Sequence, residues 1–172
     1  AEKYAQAINN DLTPIICIGE TEDDYESGKM EEVIARLLDI LIAHKGPKAL
    51  ANVKSGSWLF LSDQTGISNE LLRLMKVEGQ DVHVVKTKEA AKAFLKSENA
   101  ESITGILHLW AMDSSEAKPN ASLTASLEVV QANAQAGGIG KHWFVTKGAQ
   151  SVHSSDVVLP WQSQFWGFGR TL

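Results

Sequence analysis

The chain is short of several features that would narrow its function at once. Of its 172 residues only Cys17 is a cysteine, and it sits in an apolar run. This excludes an intramolecular disulfide and a cysteine-based zinc site, and suits a reducing compartment. Tyrosine is nearly as scarce: Tyr4 and Tyr25 are the only two, so everything after residue 25 lacks a phenol for proton transfer. Cationic excess is also missing. With 16 Lys+Arg against 21 Asp+Glu the formal charge is -5, which argues against nucleic acid or an anionic membrane as partner. No apolar run approaches the roughly 18 residues of a membrane span. Ala1 to Asp11 has neither the basic start nor the apolar stretch of a signal peptide, so the expected location is the cytoplasm.

What is present is an ordinary hydrophobic content of 44%, enough at this length to bury a sizeable core. The charge is unevenly placed. Residues 1–51 hold ten acids and five bases, whereas 52–172 hold eleven of each. Such a step marks a candidate boundary near Asn52.

Periodicity supplies the elements. Met30, Val33, Ile34, Leu37, Leu38, Leu41 and Ile42 form a continuous stripe that predicts a helix over 30–44, stopped before Gly46-Pro47. Compact apolar runs predict strands at Thr13–Ile18, Trp58–Leu61, Val82–Val85, Ile103–Trp110 and His142–Thr146, with a further short one at Val157–Leu159. Helices are expected between them. Gly79 ends the first, Thr87 caps the second, and Gly137-Gly138 stops the third, while Pro160 opens a last helical turn. Strands alternating with helices imply a parallel α/β sheet covered on both faces.

Two resemblances emerge, on either side of the charge step. Asp11-Leu-Thr-Pro-Ile-Ile-Cys-Ile-Gly-Glu20-Thr and Tyr25-Glu-Ser-Gly-Lys29-Met-Glu-Glu-Val-Ile-Ala-Arg36 resemble the fifth barrel strand and following helix of triosephosphate isomerase, over residues 1–51. Where that family continues into a strand bearing its catalytic Glu, this chain has Lys54-Ser-Gly-Ser-Trp-Leu-Phe-Leu-Ser-Asp63. The family's catalytic Lys and His have no counterpart, so isomerase activity is expected to be absent. Residues 57–172 are similar to the amino-terminal structural half of the ketoreductase region in modular polyketide synthases, through Trp58-Leu-Phe-Leu-Ser-Asp63, Gly105-Ile-Leu-His-Leu-Trp110-Ala-Met-Asp113, Leu127-Glu-Val-Val-Gln131-Ala, Trp143-Phe-Val-Thr-Lys-Gly-Ala-Gln150 and Trp166-Gly-Phe-Gly-Arg170. That resemblance implies a truncated Rossmann-like subdomain without catalytic, cofactor-binding or metal residues. It also implies bracing of a separate catalytic half, with NADPH on that half and other synthase domains as partners. An independent NAD(P)-binding oxidoreductase and an inactive isomerase fragment are the alternatives.

The residues themselves agree with loss of cofactor binding. A dinucleotide turn needs several glycines so that amides at a helix N-terminus can approach the pyrophosphate. Asp63-Gln64-Thr65-Gly66-Ile67-Ser68-Asn69 has one Gly and a carboxylate near the phosphate position. Tyr25 and Lys29 have the spacing of a reductase proton-donor pair, but they precede the turn and read as coincidence.

Other constellations carry bland readings beside the functional ones. His44, His83, His108, His142 and His153 lack ligand spacing, and His108, on an apolar strand, reads as a satisfied core or edge residue. Ser114 and Ser115 beside Asp113 lack a nucleophile elbow and read as loop residues. The acidic run Glu20, Glu22, Asp23, Asp24, Glu26 lacks the alternation of a calcium loop and reads as a solvated face. Trp161, Phe165, Trp166 and Phe168 are expected to form an exposed aromatic patch near the carboxyl end.

Overall fold

Strand β2 (Ser57–Leu61) is buried at every position, so its five side chains must find apolar partners on both sides of a sheet. They do. In a computed structural model that describes the backbone of residues 15–18, and residues 34, 35, 37–41, 57–151 and 157–172, five parallel strands form one sheet. They are β1 (Ile15–Ile18), β2, β3 (Asp81–Val85), β4 (Ile103–His108) and β5 (Lys141–Lys147), in the order β1-β5-β4-β2-β3. The helices are α1 (Ile67–Val77), α2 (Lys88–Leu95), α3 (Ala121–Gln135) and α4 (Pro160–Gly169). Residues 34, 35 and 37–41 are helical as well.

Alternation along the strands divides the core. On one face, Trp58, Phe60, Leu107, Trp143 and Val145 pack with Leu71 and Met75 of α1 and with Ile34, Leu37, Leu38 and Leu41. On the other, Leu59, Leu61 and Ile106 meet Ala91 and Leu95 of α2 and Val129 of α3. Phe165 of α4 extends this layering against Phe144 and Ala111. The sheet is therefore parallel α/β with helices on both faces, as the alternating elements imply.

The isomerase-like segment joins this sheet. β1 pairs with β5 in register from Ile15 opposite Phe144 to Ile18 opposite Lys147. Among the described residues it lies at one edge while β3 lies at the other, so this five-stranded sheet is open rather than rolled into a barrel. Two strands, β5 and β4, separate β1 from β2.

The expected helix signals hold locally. Thr87 Oγ1 accepts from the Ala90 amide at 3.2 Å, capping α2. The Gly138 amide donates to the Asn133 carbonyl at 2.9 Å, closing α3. At Gly105 the requirement is space: a Cβ there would lie 2.4 Å from Cζ3 of Trp58, the residue opposite it in the β2–β4 register.

Three expectations differ. Val157–Leu159 forms no strand, and Val157 is 71% exposed. The last helical turn is instead a ten-residue helix, α4. Its aromatics do not form an exposed patch: Phe165 is fully buried, and Trp161, Trp166 and Phe168 are half-buried because the helix lies against the sheet face at Phe144. The Asn52 boundary, the Tyr25–Lys29 pair, the acidic run at 20–26, His44 and His153 lie outside the described residues. Among the described residues, no helix is long and apolar enough to cross a membrane.

Candidate functional site

In a parallel sheet, ligands bind outside the carboxyl ends of the strands, at the point where successive crossovers depart in opposite directions. Here that point lies between β2 and β4: β3 is to one side of β2, while β4 and β5 follow on the other. The segments leaving these strands are Ser62-Asp63-Gln64, Lys86-Thr87 and Leu109 to Ser115.

The first of them is occupied by its own acid. Gly66, at φ 99°, turns the chain into α1, a left-handed conformation that glycine adopts without a Cβ penalty. This brings the Asp63 carboxylate onto the first amides of the helix. Oδ1 accepts from Ser68 N at 2.8 Å and Oδ2 from Ile67 N at 3.2 Å, with the Thr65 hydroxyl also donating to Oδ2. Burial pushes this carboxyl upward, but the hydrogen bonds from Thr65, Ser68 and Ile67 outweigh it and hold it below its ordinary value. A dinucleotide pyrophosphate needs those same amides, and would have to displace a buried anion to reach them. Replacing Asp63 with alanine should lower stability by about 1–2 kcal/mol, the usual cost of losing a cap, read as a shift of the urea midpoint at constant slope.

Asp113 stands beside this turn. Its Oδ1 accepts from the Gln64 amide at 2.8 Å. Burial raises its carboxyl, the Gln64 amide opposes that, and the Asp63 charge adds to the rise. Ser114 is buried with no hydrogen-bond partner for Oγ among the described residues, and Ser115 is exposed in a bridge to Lys118. Asp113 thus orients a backbone turn, and no Ser-His-Asp relay is assembled among the described residues. A cleft of ≈ 550 Å³ opens here, lined by residues that include Gln64, Lys86, Trp110, Asp113, Lys118 and Ser122.

The structure brings together two histidines that sequence spacing keeps apart. β4 and β5 are neighbours with Ile106 opposite His142 and His108 opposite Phe144. His108 Nε2 then lies 2.9 Å from His142 Nδ1, and His142 Nε2 lies 2.9 Å from Asn133 Nδ2. The chain of donors can be followed from its fixed end. Asn133 Oδ1 accepts from the Ile139 amide at 3.0 Å, so Nδ2 donates to His142. His142 must therefore carry its proton on Nδ1 and give it to His108 Nε2. That leaves the His108 proton on Nδ1, which has no acceptor among the described residues. His108 is completely buried and stacks on Phe144 at 4.2 Å. Burial, followed by the charge of His142, drives its imidazole well below the ordinary value, and burial takes His142 down to about 4. His108 is thus a core residue satisfied at one nitrogen only, and it is sealed from any substrate. His83 instead lies near the sheet edge, 3.3 Å from Asp81. Among the described residues, no group of three or more His, Cys, Asp or Glu could hold a metal ion.

Comparison with known proteins bears on the two resemblances differently. The family model described as Triosephosphate isomerase matches residues 1–54. Curated triosephosphate isomerases match as well. The one from Pseudomonas savastanoi pv. phaseolicola is 34% identical over 109 residues, covering 63% of this chain and 39% of the relative. That from Hydrogenovibrio crunogenus is 43% identical over 53 residues, 31% of this chain and 21% of the relative. The enzyme from Escherichia coli O1:K1 / APEC is 47% identical over 49 residues, 28% and 19% respectively. This chain spans at most two fifths of the length of these relatives. No solved structure matches. The ketoreductase reading of residues 57–172 is corrected by these findings: the matched family and these relatives are triosephosphate isomerases, in one case over 109 residues, and none is a polyketide synthase. The motif strings that suggested it fall on β2, on β4 and the turn after it, within α3, on β5 and at the end of α4.

Proposed function

We propose that this chain is a non-catalytic α/β domain in which a triosephosphate-isomerase-like βα segment works as a structural part, one strand and one covering helix of an open sheet. The observation that carries the reading is the burial of Ile34, Leu37 and Leu41 in the same apolar cluster as Trp58, Phe60, Leu107 and Trp143. Isomerase chemistry needs a base, an electrophile and the ring of strand ends that a closed barrel holds in place. With β1 and β3 at opposite edges, the strand ends here lie in a row. We assign no catalytic, cofactor-binding or metal residue to the chain, and take the charge step near Asn52 as the boundary of the isomerase-like segment.

Two measurements test this. The purified chain should give no interconversion of glyceraldehyde 3-phosphate and dihydroxyacetone phosphate above buffer; turnover proportional to protein concentration would overturn the proposal. Leu37, 1% exposed, should behave as a core residue of the whole sheet. Leu37→Ala should cost about 2–5 kcal/mol in a single cooperative transition. An unchanged midpoint would show the segment to be an appendage.

A further inference from the structure

The cleft at the carboxyl ends of β2, β3 and β4 is not used by the structural role just proposed, and its lining holds cations, a carboxylate and hydroxyls. Its cations are Lys86, Lys88 and Lys118. Lys88 is already neutralised, since its Nζ lies 2.5 Å from Glu128 Oε1, and Lys92 bonds the other oxygen of that carboxylate. Lys86 and Lys118 are exposed and make no ion pair among the described residues. The carboxylate in the lining is Asp113, which turns one oxygen to the Gln64 amide. Ser115 and Ser122 also line the cleft, together with Trp110 and Ala121. The volume, ≈ 550 Å³, falls within the range of small-molecule sites.

We propose that this cleft binds a hydroxylated phosphomonoester, a sugar phosphate or a mononucleotide. The phosphate lies between Lys86 and Lys118, and the sugar hydroxyls donate to Asp113. The arrangement suits that chemistry in three ways. Two unpaired ammonium groups match a dianion better than a neutral ligand. A carboxylate in the same cleft disfavours a second anionic group beside it, which selects a ligand with one anionic group and hydroxyl donors elsewhere. The Asp63 carboxylate already holds the α1 amides, so a pyrophosphate bridging to that helix is excluded and a single phosphate is favoured.

The test is calorimetric titration of the full chain at low salt with AMP, ribose 5-phosphate and inorganic phosphate. AMP or ribose 5-phosphate should bind saturably. Lys86→Ala/Lys118→Ala, two exposed positions that leave the core intact, should weaken binding at least tenfold. AMP well ahead of ribose 5-phosphate would identify a nucleotide, and equal affinities a sugar phosphate; both support the site. Lys76→Ala/Lys141→Ala removes two exposed lysines from the opposite, amino-end side of the sheet, and should leave affinity unchanged. The proposal is overturned if neither ester binds at millimolar concentration, if inorganic phosphate binds as tightly as both, or if the second pair of substitutions weakens binding as much as the first.

Discussion

Gly105→Ala should lower stability by roughly 2–3 kcal/mol, an unusually large penalty for adding one methyl group, and shift the thermal midpoint down by about 4–12 °C. The added Cβ would meet Trp58 at 2.4 Å from Cζ3 and 2.7 Å from Cε3, distances no relaxed contact permits. Trp58 has little room to give way, because it is 3% exposed and its ring packs against Trp143 at a centroid separation of 6.2 Å. Either the ring leaves its place in the core or β4 shifts against β2, and the two strands are paired in register from Trp58 opposite Gly105 to Leu61 opposite His108. The cause is isolated by a double-mutant cycle. Trp58→Leu will itself be costly through the cavity it leaves, but in that background Gly105→Ala should be close to neutral. An equal penalty in both backgrounds would mean that glycine serves a backbone conformation rather than the tryptophan.

That pair shows how far local patterns reach. The sheet and its covering helices were legible because apolar spacing, Thr87 and the Gly137-Gly138 pair act within a few residues of one another. The close approach of Gly105 to Trp58 depends on strand register, which aligns residues 47 positions apart and leaves no mark in either segment. The same holds for His108 and His142. Each looks like an isolated histidine on an apolar strand, and only the adjacency of β4 and β5 places them on one face. Asp63 is the intermediate case: a carboxylate at a strand-to-helix turn was visible as an obstacle to phosphate, whereas its capture of the Ile67 and Ser68 amides required the backbone geometry of Gly66. The exposed Val157 run failed as a strand for a complementary reason, since short apolar runs specify burial only where a partner strand is available.

Acid should destabilise this protein earlier than its carboxylates alone would allow. His108 and His142 are neutral in the folded chain, one far below its ordinary value and the other at about 4. Unfolding releases both to ordinary solvated histidine values near 6.5. The unfolded state therefore binds more protons wherever the pH lies below that value, so stability is fully present above about pH 6.5 and falls as the pH drops. For His142 the loss runs from about pH 6.5 to its folded value of about 4, and amounts to roughly 3 kcal/mol at the lower end. His108 adds to the same slope. The geometry explains why the folded state refuses the protons: His142 Nε2 already accepts from Asn133, and His108 Nε2 from His142, so a proton on either acceptor sets two donors face to face beside the buried His108 ring. Asp63, Glu70 and Glu128 are held below their ordinary values, and their contributions are lost only at lower pH; Asp113, raised by burial, works the other way, since the folded chain takes up its proton first, and it offsets part of the histidine loss. Urea midpoints measured from about pH 6.5 to 5 should fall steeply for the native sequence. His142→Gln, which keeps an amide able to face both neighbours but cannot titrate, should flatten the slope by about half, because one of the two proton-binding groups is gone. If the variant keeps the native slope, the pair is not the origin of the acid sensitivity.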